Sequence, residues 1–179
     1  MPRADAVRNR AKVLDVAAQV FATEGLSVPV HEIARRAGVG TGTVSRHFPT
    51  KEALFTAILL DRMAELTRAA DELAATHDPA TAFFGLFAMV VREGARHLGL
   101  AEALAGNGYD MDTIGAEAGF DVSGRLHALL LAAQRAGTIR PEIGIGDVKA
   151  LMKGCLSDDA GKNLDTLLTV IKAGLVAGS

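Results

Sequence analysis

Residues 38–55, GVGTGTVSRHFPTKEALF, decide how the chain is interpreted, because two different structures can be built on them. Gly38, Gly40 and Gly42 stand at alternate positions and are followed by hydroxyl and basic side chains. The glycines could form a loop around the phosphates of a nucleotide. Alternatively, they could form the bend between two short helices, the second of which carries TVSRHF. The first interpretation predicts an enzyme, and the second predicts a DNA-binding protein.

The residues around the glycines argue against a phosphate-binding loop. A dinucleotide fingerprint requires G-x-G-x-x-G directly after a β-strand. Here the spacing is G-x-G-x-G, and the preceding EIARRA is charged and helical in pattern. The chain also lacks the G-x-x-x-x-G-K-[ST] motif of nucleotide triphosphatases. Nucleotide binding therefore has no support beyond the glycines themselves.

A helix-turn-helix explains the same residues in full. Gly38 can take the left-handed backbone that the turn requires, and Thr41, Gly42, Thr43 and Ser45 keep the start of the second helix small, so that it can approach a groove. Arg46 and His47 are expected to point outward beside Lys51, which is placed to meet a phosphate. The residues expected to pack inward are Ile33, Ala34, Ala37, Val39, Val44 and Phe48.

Charge is distributed unevenly along the chain. Residues 1–51 contain eight Lys or Arg against four acidic residues, whereas residues 52–179 contain 11 basic and 17 acidic residues. The asymmetry predicts that only the first segment meets a polyanion. The single Cys155 excludes an intramolecular disulfide, and neither a signal peptide nor a membrane span is expected. We therefore expect a cytoplasmic protein.

The chain is predicted to be all-α, because it is rich in Ala and Leu and shows no period-2 strand. Helices are expected over 5–24, 30–37, 41–48, 80–98, 116–136 and 163–177, with a longer helix that runs from residue 51 to at least Leu73 and a further helix capped by Asp147. Residues 99–112 are expected to be rich in loops, with LAEALA as a short helix at most. We place a DNA-binding domain at 1–50 and a larger helical domain for effector binding and dimerisation at 51–179.

Residues 8–55, with the order NRAKVLDVAAQVFATEG…VHEIARRAGVGTGTVSRHFPTKEALF, resemble the DNA-binding domain of the TetR family of bacterial transcription regulators. The resemblance implies a homodimer on a palindromic operator, most simply a repressor that a small molecule releases. The DNA contacts that it implies are His31, Thr41, Thr43, Ser45, Arg46, His47 and Lys51. Gly42 is counted with them because it allows a close approach of the backbone. Ser45 stands where many members have a tyrosine, and Gly40 where a serine often caps the helix. Those two contacts are therefore expected to differ.

The C-terminal half resembles an actinobacterial-type subgroup of this family through GLAEALA and LLLAAQRAGTIRPEIGIGDV. There the last two helices form the dimer interface, and the last helix here is apolar on more than one face. Gly154, Gly161 and Gly174 would allow helices to approach closely. The expected dimerisation residues are Val148, Leu151, Met152, Cys155, Leu164, Leu168, Ile171 and Leu175.

The candidates for an effector pocket are Phe83, Phe87, Val91, Tyr109, Met111, Phe120 and His127. Each of them could equally belong to an ordinary core. The acidic residues of 110–121 could hold a metal, although a solvated loop explains them better because no His or Cys completes a site. No catalytic set of residues, metal or cofactor is expected. The alternative function is a ligand-binding or scaffolding dimer without sequence-specific DNA binding.

Overall fold

A computed structural model of the 179-residue chain describes residues 2–156 and 163–177, with the side chains of residues 2–4 and of Met111 left out. These residues form ten α-helices joined by short turns. In order, the helices are α1 (Pro2–Glu24), α2 (Val30–Ala37), α3 (Thr41–His47), α4 (Lys51–Thr76), α5 (Pro79–Arg96), α6 (Leu98–Gly106), α7 (Met111–Glu117), α8 (Val122–Arg135), α9 (Ile145–Cys155) and α10 (Leu164–Leu175). The all-α prediction is confirmed. Gly161 lies outside the described residues.

The helices cluster into two compact units that are discontinuous in sequence. The first comprises residues 1–62 and 97–114, and the second comprises residues 63–96 and 115–179. The predicted domains, 1–50 and 51–179, are continuous segments, whereas the first unit also draws in part of α4 and the whole of α6. Compact units report packing rather than function, so the assignment of roles to the two domains stays a prediction.

The core of the first unit joins α1, α2 and α3 to the first turns of α4. Leu14, Ile33, Val44 and Leu54 are each at most 1% exposed. The ring of Phe21 meets that of Phe55 edge-on, with centroids 5.0 Å apart. Burying apolar side chains contributes about 1.5–3 kcal/mol each, so this core fixes the helices that flank the 38–40 turn.

Local chemistry sets the helix ends in this unit as the sequence predicts. Gly25 ends α1 with φ +85°, and Gly38 ends α2 with φ +65°, both in the left-handed region that favours glycine. Thr50 caps α4, because its Oγ1 accepts a hydrogen bond from the Ala53 amide at 3.1 Å. These interactions stop each helix at the point where the chain must turn.

The core of the second unit is built around the packing of α5 against α8, with α9 and α10 alongside. Phe83, Leu86 and Phe87 of α5 and Leu130 of α8 are at most 1% exposed. The connector after α8 is held by the Gln134 side chain, whose Nε2 donates hydrogen bonds to carbonyl oxygens of the following loop. The same loop joins the end of α10 through an isolated antiparallel bridge between Ile139 and Val176.

Two predictions for residues 99–136 are wrong. The short helix expected at LAEALA is present as α6 (Leu98–Gly106), but residues 99–112 are not rich in loops, because α7 already begins at Met111. The single helix expected over 116–136 is two helices. Gly119 takes φ +84° and ends α7, and Asp121 then caps α8 by accepting a hydrogen bond from the Gly124 amide at 2.7 Å.

Asp147 takes part in capping its helix as predicted, but from the first turn and not from the N-cap position. The N-cap is Gly144, and α9 begins at Ile145. Asp147 instead lies in the first turn, where its carboxylate accepts a hydrogen bond from the Gly144 amide at 2.8 Å. A carboxylate can satisfy a free amide at a helix start from that position as well as from the cap.

Candidate DNA-binding surface

The turn between α2 and α3 sets the direction of α3. Gly38 takes the left-handed backbone, and the Val39 amide donates a hydrogen bond to the Ala34 carbonyl at 3.0 Å, which closes the end of α2. Gly40 then adopts an extended backbone, and the Thr43 amide donates to its carbonyl oxygen at 2.9 Å. Two helices joined by so short a turn are the geometry of a helix-turn-helix, with α3 as the recognition helix.

Recognition helix α3 is anchored on one side and exposed on the other. Val44 is fully buried, and Phe48, which follows the helix, is 4% exposed. The opposite face carries the predicted DNA contacts, of which Thr43 is half-buried. The exposed ones are Thr41, Gly42, Ser45, Arg46 and His47. Hydroxyl, imidazole and guanidinium groups can hydrogen-bond to base edges and phosphates.

The other predicted contacts lie beside this face. His31 is exposed near the start of α2, and Lys51 is half-buried at the start of α4. The Lys51 ammonium lies 5.6 Å from the centroid of the Phe21 ring and 6.0 Å from that of Phe55. Such cation–π contacts hold the stem of Lys51 in place while its charge stays near the surface.

Acidic residues within the first unit neutralise a specific subset of its cations. Glu32 accepts hydrogen bonds from Arg35 at 2.7 Å and from Arg36 at 2.8 Å, and Arg36 also pairs with Glu24 at 3.0 Å. The hydrogen bonds from Arg35 and Arg36 lower the pKa of Glu32 to about 2. The two arginines are thus paired with acidic residues of the same chain.

The other two acidic residues of the basic segment 1–51 are paired as well. Asp5 pairs with Arg8, and Asp15 accepts from Arg62 of α4 at 2.9 Å. By contrast, four cations make no ion pair with any residue that the structure describes. These are Arg10, Lys12, Arg46 and Lys51. Positive charge without an internal partner is therefore carried by α1, by α3 and by the start of α4, where a polyanion could bind.

This geometry agrees with comparisons against known proteins. Residues 13–58 match the family model described as "Bacterial regulatory proteins, tetR family". Residues 78–177, more than half of the chain, match the model "Transcriptional regulator SbtR-like, C-terminal domain". The chain belongs to the TetR family of transcription regulators. The resemblance noted in the sequence is thereby confirmed for both halves.

Solved TetR-family structures match over nearly the full length. A TetR transcription regulatory protein from Mycobacterium vanbaalenii is 44% identical, with 99% of this chain and 100% of that chain covered and a TM-score of 0.79. The TetR regulator SCO0520 from Streptomyces coelicolor is 31% identical, with 95% and 99% covered and a TM-score of 0.74. The HTH-type regulator SAB2452 from Staphylococcus aureus is 38% identical over 53 residues, which span 29% of each protein.

The candidate effector residues of this TetR-family chain are divided between the two compact units. Phe83, Phe87 and Val91 lie in the core of the second unit and are at most 1% exposed. Phe120 is half-buried and His127 is exposed in the same unit, whereas Tyr109 is 41% exposed in the first unit. The Met111 side chain lies outside the description. Their role in effector binding stays a prediction.

Two clefts open within the second unit, both beside α10. One of about 420 Å³ lies between α5 and α10 and includes the candidate residue Phe87 together with Phe84 and Arg92. The other, of about 630 Å³, lies between α9 and α10 and is mainly apolar. Its lining includes three of the residues predicted for dimerisation, namely Leu151, Cys155 and Ile171.

The predicted dimerisation residues fall into two groups by exposure. Val148, Cys155 and Leu175 are at most 4% exposed, so their side chains are covered within their own chain. The other five are partly buried and pack on the edge of the same core: Leu151, Met152, Leu164, Leu168 and Ile171. Val170, on α10, is 64% exposed and was absent from the predicted set. Helical periodicity places Val170 with Leu167 on a second apolar face of this helix, and the structure adds that Val170 is exposed.

Two acidic residues of 110–121, the segment considered for metal binding, hydrogen-bond to neighbouring groups of the chain. Asp121 caps α8, and Asp110 accepts a hydrogen bond from the Thr113 hydroxyl at 2.6 Å. Within residues 2–156 and 163–177, no group of three His, Cys, Asp or Glu side chains could hold a metal ion. Burial raises the pKa of the Cys155 thiol. No helix in the described part of the chain is long and apolar enough to cross a membrane.

Proposed function

We propose that this TetR-family regulator binds a palindromic operator as a homodimer and represses transcription until a small molecule releases it. The observation that carries the proposal is the exposed polar face of α3 flanked by cations that have no acidic partner in the described chain. Phosphate neutralisation by such cations supplies salt-dependent affinity, while side chains on α3 distinguish bases. We infer a binding function in the cytoplasm, without catalysis.

Selection from a pool of random duplexes tests DNA recognition directly. We expect the wild-type protein to recover an inverted repeat whose half-sites lie about 10 base pairs or a multiple of that apart. Recovery of no common sequence would contradict operator recognition. Arg46→Ala should weaken binding to the recovered duplex and flatten its salt dependence. Arg35→Ala, on the neighbouring helix, is the matched control because Arg35 is already paired with Glu32.

The homodimer is supported by the apolar surface of α9 and α10. Leu167 and Ile171 line the cleft between these helices, and Val170 is 64% exposed. A second copy would bury this surface, and a two-fold axis would present two recognition helices to successive major grooves. Val170→Asp should therefore shift the mass measured by light scattering from dimer to monomer. Thr169→Asp introduces the same charge at the exposed residue that directly precedes Val170 on α10, and it should leave the dimer intact.

We further propose that the effector binds within residues 80–136 and favours a conformation that fits the operator less well. Release requires only that the ligand bind the two conformations with different affinity. Phe83 and Val91 would have to separate from their core neighbours to touch it. Phe87 already lines the cleft between α5 and α10, and Phe120, His127 and Tyr109 are accessible. A compound screen by thermal shift, followed by competition with operator DNA, tests this. A stabilising compound that leaves DNA binding unchanged would contradict the mechanism.

A further inference from the structure

Two cations of α1 border the helix-turn-helix although neither belongs to it. The Arg10 guanidinium carbon lies 5.6 Å from the centroid of the Phe48 ring, directly after α3. The Lys12 ammonium lies 3.5 Å from the position that a Cβ on Gly38 would occupy. Arg10 thus stands at the end of the recognition helix, and Lys12 stands at the turn that precedes it.

Neither Arg10 nor Lys12 forms an ion pair with an acidic residue that the structure describes, and this distinguishes them from Arg8. Arg8 pairs with Asp5 on the same helix. Arg10 and Lys12 have no ion pair among the described residues, and both are exposed. The Phe48 ring restrains the Arg10 side chain, so less rotamer freedom remains to be lost when a ligand binds. A restrained, unpaired guanidinium beside a groove-reading helix is suited to a phosphate.

We propose that α1 forms a second DNA-contacting element, in which Arg10 and Lys12 each bind a backbone phosphate beside the groove that α3 enters. This inference rests on the proposed function and extends the DNA surface beyond the residues of α2–α4. The partner is the phosphate backbone rather than the bases. The two cations therefore add affinity without adding sequence preference.

The expected effect is a change in salt dependence. Each phosphate contact contributes about 0.9 to the slope of log affinity against log salt, so a dimer that loses one contact per subunit loses about 1.8. Raising the salt from 50 to 200 mM should therefore weaken DNA binding by the wild-type dimer about 12-fold more than it weakens binding by the Arg10→Gln dimer. Lys12→Gln should show a change of the same size.

The test measures binding to one 30-base-pair duplex by fluorescence anisotropy across salt concentrations. Arg8→Gln is the matched control, because it removes the same charge from the same helix but from a residue already paired with Asp5. An effect of net charge alone would change all three variants equally. Arg10→Lys should restore the wild-type slope. Thermal melting of each variant checks that loss of the Phe48 contact has not unfolded the first unit.

The outcomes separate this inference from the function on which it rests. A reduced slope for Arg10→Gln and Lys12→Gln, with a wild-type slope for Arg8→Gln, supports the α1 contacts. A wild-type slope in all three variants overturns them while leaving operator binding by α3 intact. Equal reduction in all three also overturns them, because it reflects net charge. Failure of the wild-type protein to bind any duplex at about 20 mM salt would overturn the proposed function itself, since phosphate contacts dominate there.

Discussion

Gly42 provides the sharpest test of how α3 meets DNA, because the chain itself has no need of a glycine there. Gly42 lies in the first turn of α3, is exposed, and does not have a positive φ. A Cβ built on it would have no atom within 4 Å outside its own local helix. The fold therefore leaves room for a side chain at Gly42, and we predict that the DNA surface does not.

The prediction is that Gly42→Ala stabilises the protein and weakens operator binding at the same time. Alanine in place of glycine stabilises a helix by about 0.5–1 kcal/mol, and a first-turn position should give the lower end. For a chain of this size, that corresponds to a rise in melting temperature of about 1–2 °C. An added methyl group against the groove floor should cost as much as a mismatched base pair, about 1–3 kcal/mol per half-site. Across two half-sites, affinity should fall at least about 30-fold.

Gly99→Ala is the matched control for this experiment. Gly99 is the second residue of α6 as Gly42 is of α3, it belongs to the same compact unit, and its Cβ would also meet nothing within 4 Å. Both variants should melt above the wild type, but only Gly42→Ala should lose affinity in a titration against the selected duplex. Wild-type affinity in Gly42→Ala would refute close approach at this position. A lower melting temperature would show that the fold itself requires the glycine.

Three further predictions concern stability and reactivity. The pKa of Glu32 is about 2 in the folded chain against 4.5 when unperturbed, so its ion pairs stabilise the fold above pH 4.5 and lose that effect as the pH falls toward 2. In urea titrations at pH 7, the free energy of unfolding should therefore be larger for the wild type than for Glu32→Gln. A difference in this free energy that is no smaller at pH 3 would contradict this. Gln134→Leu should lower the free energy of unfolding by about 1–3 kcal/mol, because two carbonyls of the connector lose their donor; Gln134→Glu, which keeps the shape without the N–H groups, should match it. Cys155 is 2% exposed with a raised pKa and should react with a thiol reagent only in denaturant, so fast labelling of native protein would show that it is accessible.

The helix-turn-helix could be predicted in detail because its signals are local. Gly38 is needed where the backbone becomes left-handed, and Thr50 supplies a cap three residues before the amide that it binds. Val44 and Phe48 recur at helical spacing on the buried side. Each of these effects depends on a few neighbouring residues, so the sequence contains what is needed to infer it.

The break between α7 and α8 could not be predicted on the same grounds. Gly119 ends a helix, but Gly115 and Gly124 lie within helices only a few residues away. A glycine is therefore an ambiguous signal in this region, and the outcome depends on tertiary packing. At Gly115, for example, an added Cβ would overlap the end of the Met63 side chain on α4, a residue far away in the sequence. Such a reason becomes visible only when the partner helix is known.

The pairing of Arg35 and Arg36 was partly available from the sequence. Glu32 precedes them by three and four residues, which is the spacing for ion pairs along a helix. Glu24, however, lies twelve residues from Arg36 and on another helix, so its contact depends on the packing of α1 against α2. Counting charges located the basic segment correctly, but only the structure separates the paired cations from the unpaired ones.

The DNA surface and the effector pocket differ in how far sequence can define them, and the reason lies in their ligands. A phosphate backbone always demands exposed cations and hydrogen-bond donors, which stand out on a helix such as α3. A pocket for a small-molecule effector is lined mainly by apolar side chains, and these recur along a helix with the same periodicity as core residues. Phe83 and Phe87 show the consequence, because their spacing would suit a pocket yet they are at most 1% exposed in the packed interior. Phe87 also lines the cleft between α5 and α10, but a ligand that reaches Phe83 must displace core contacts. The binding energy of such a ligand would be coupled directly to the packing of α5 against α8, which is the coupling that an effector-driven change of conformation requires.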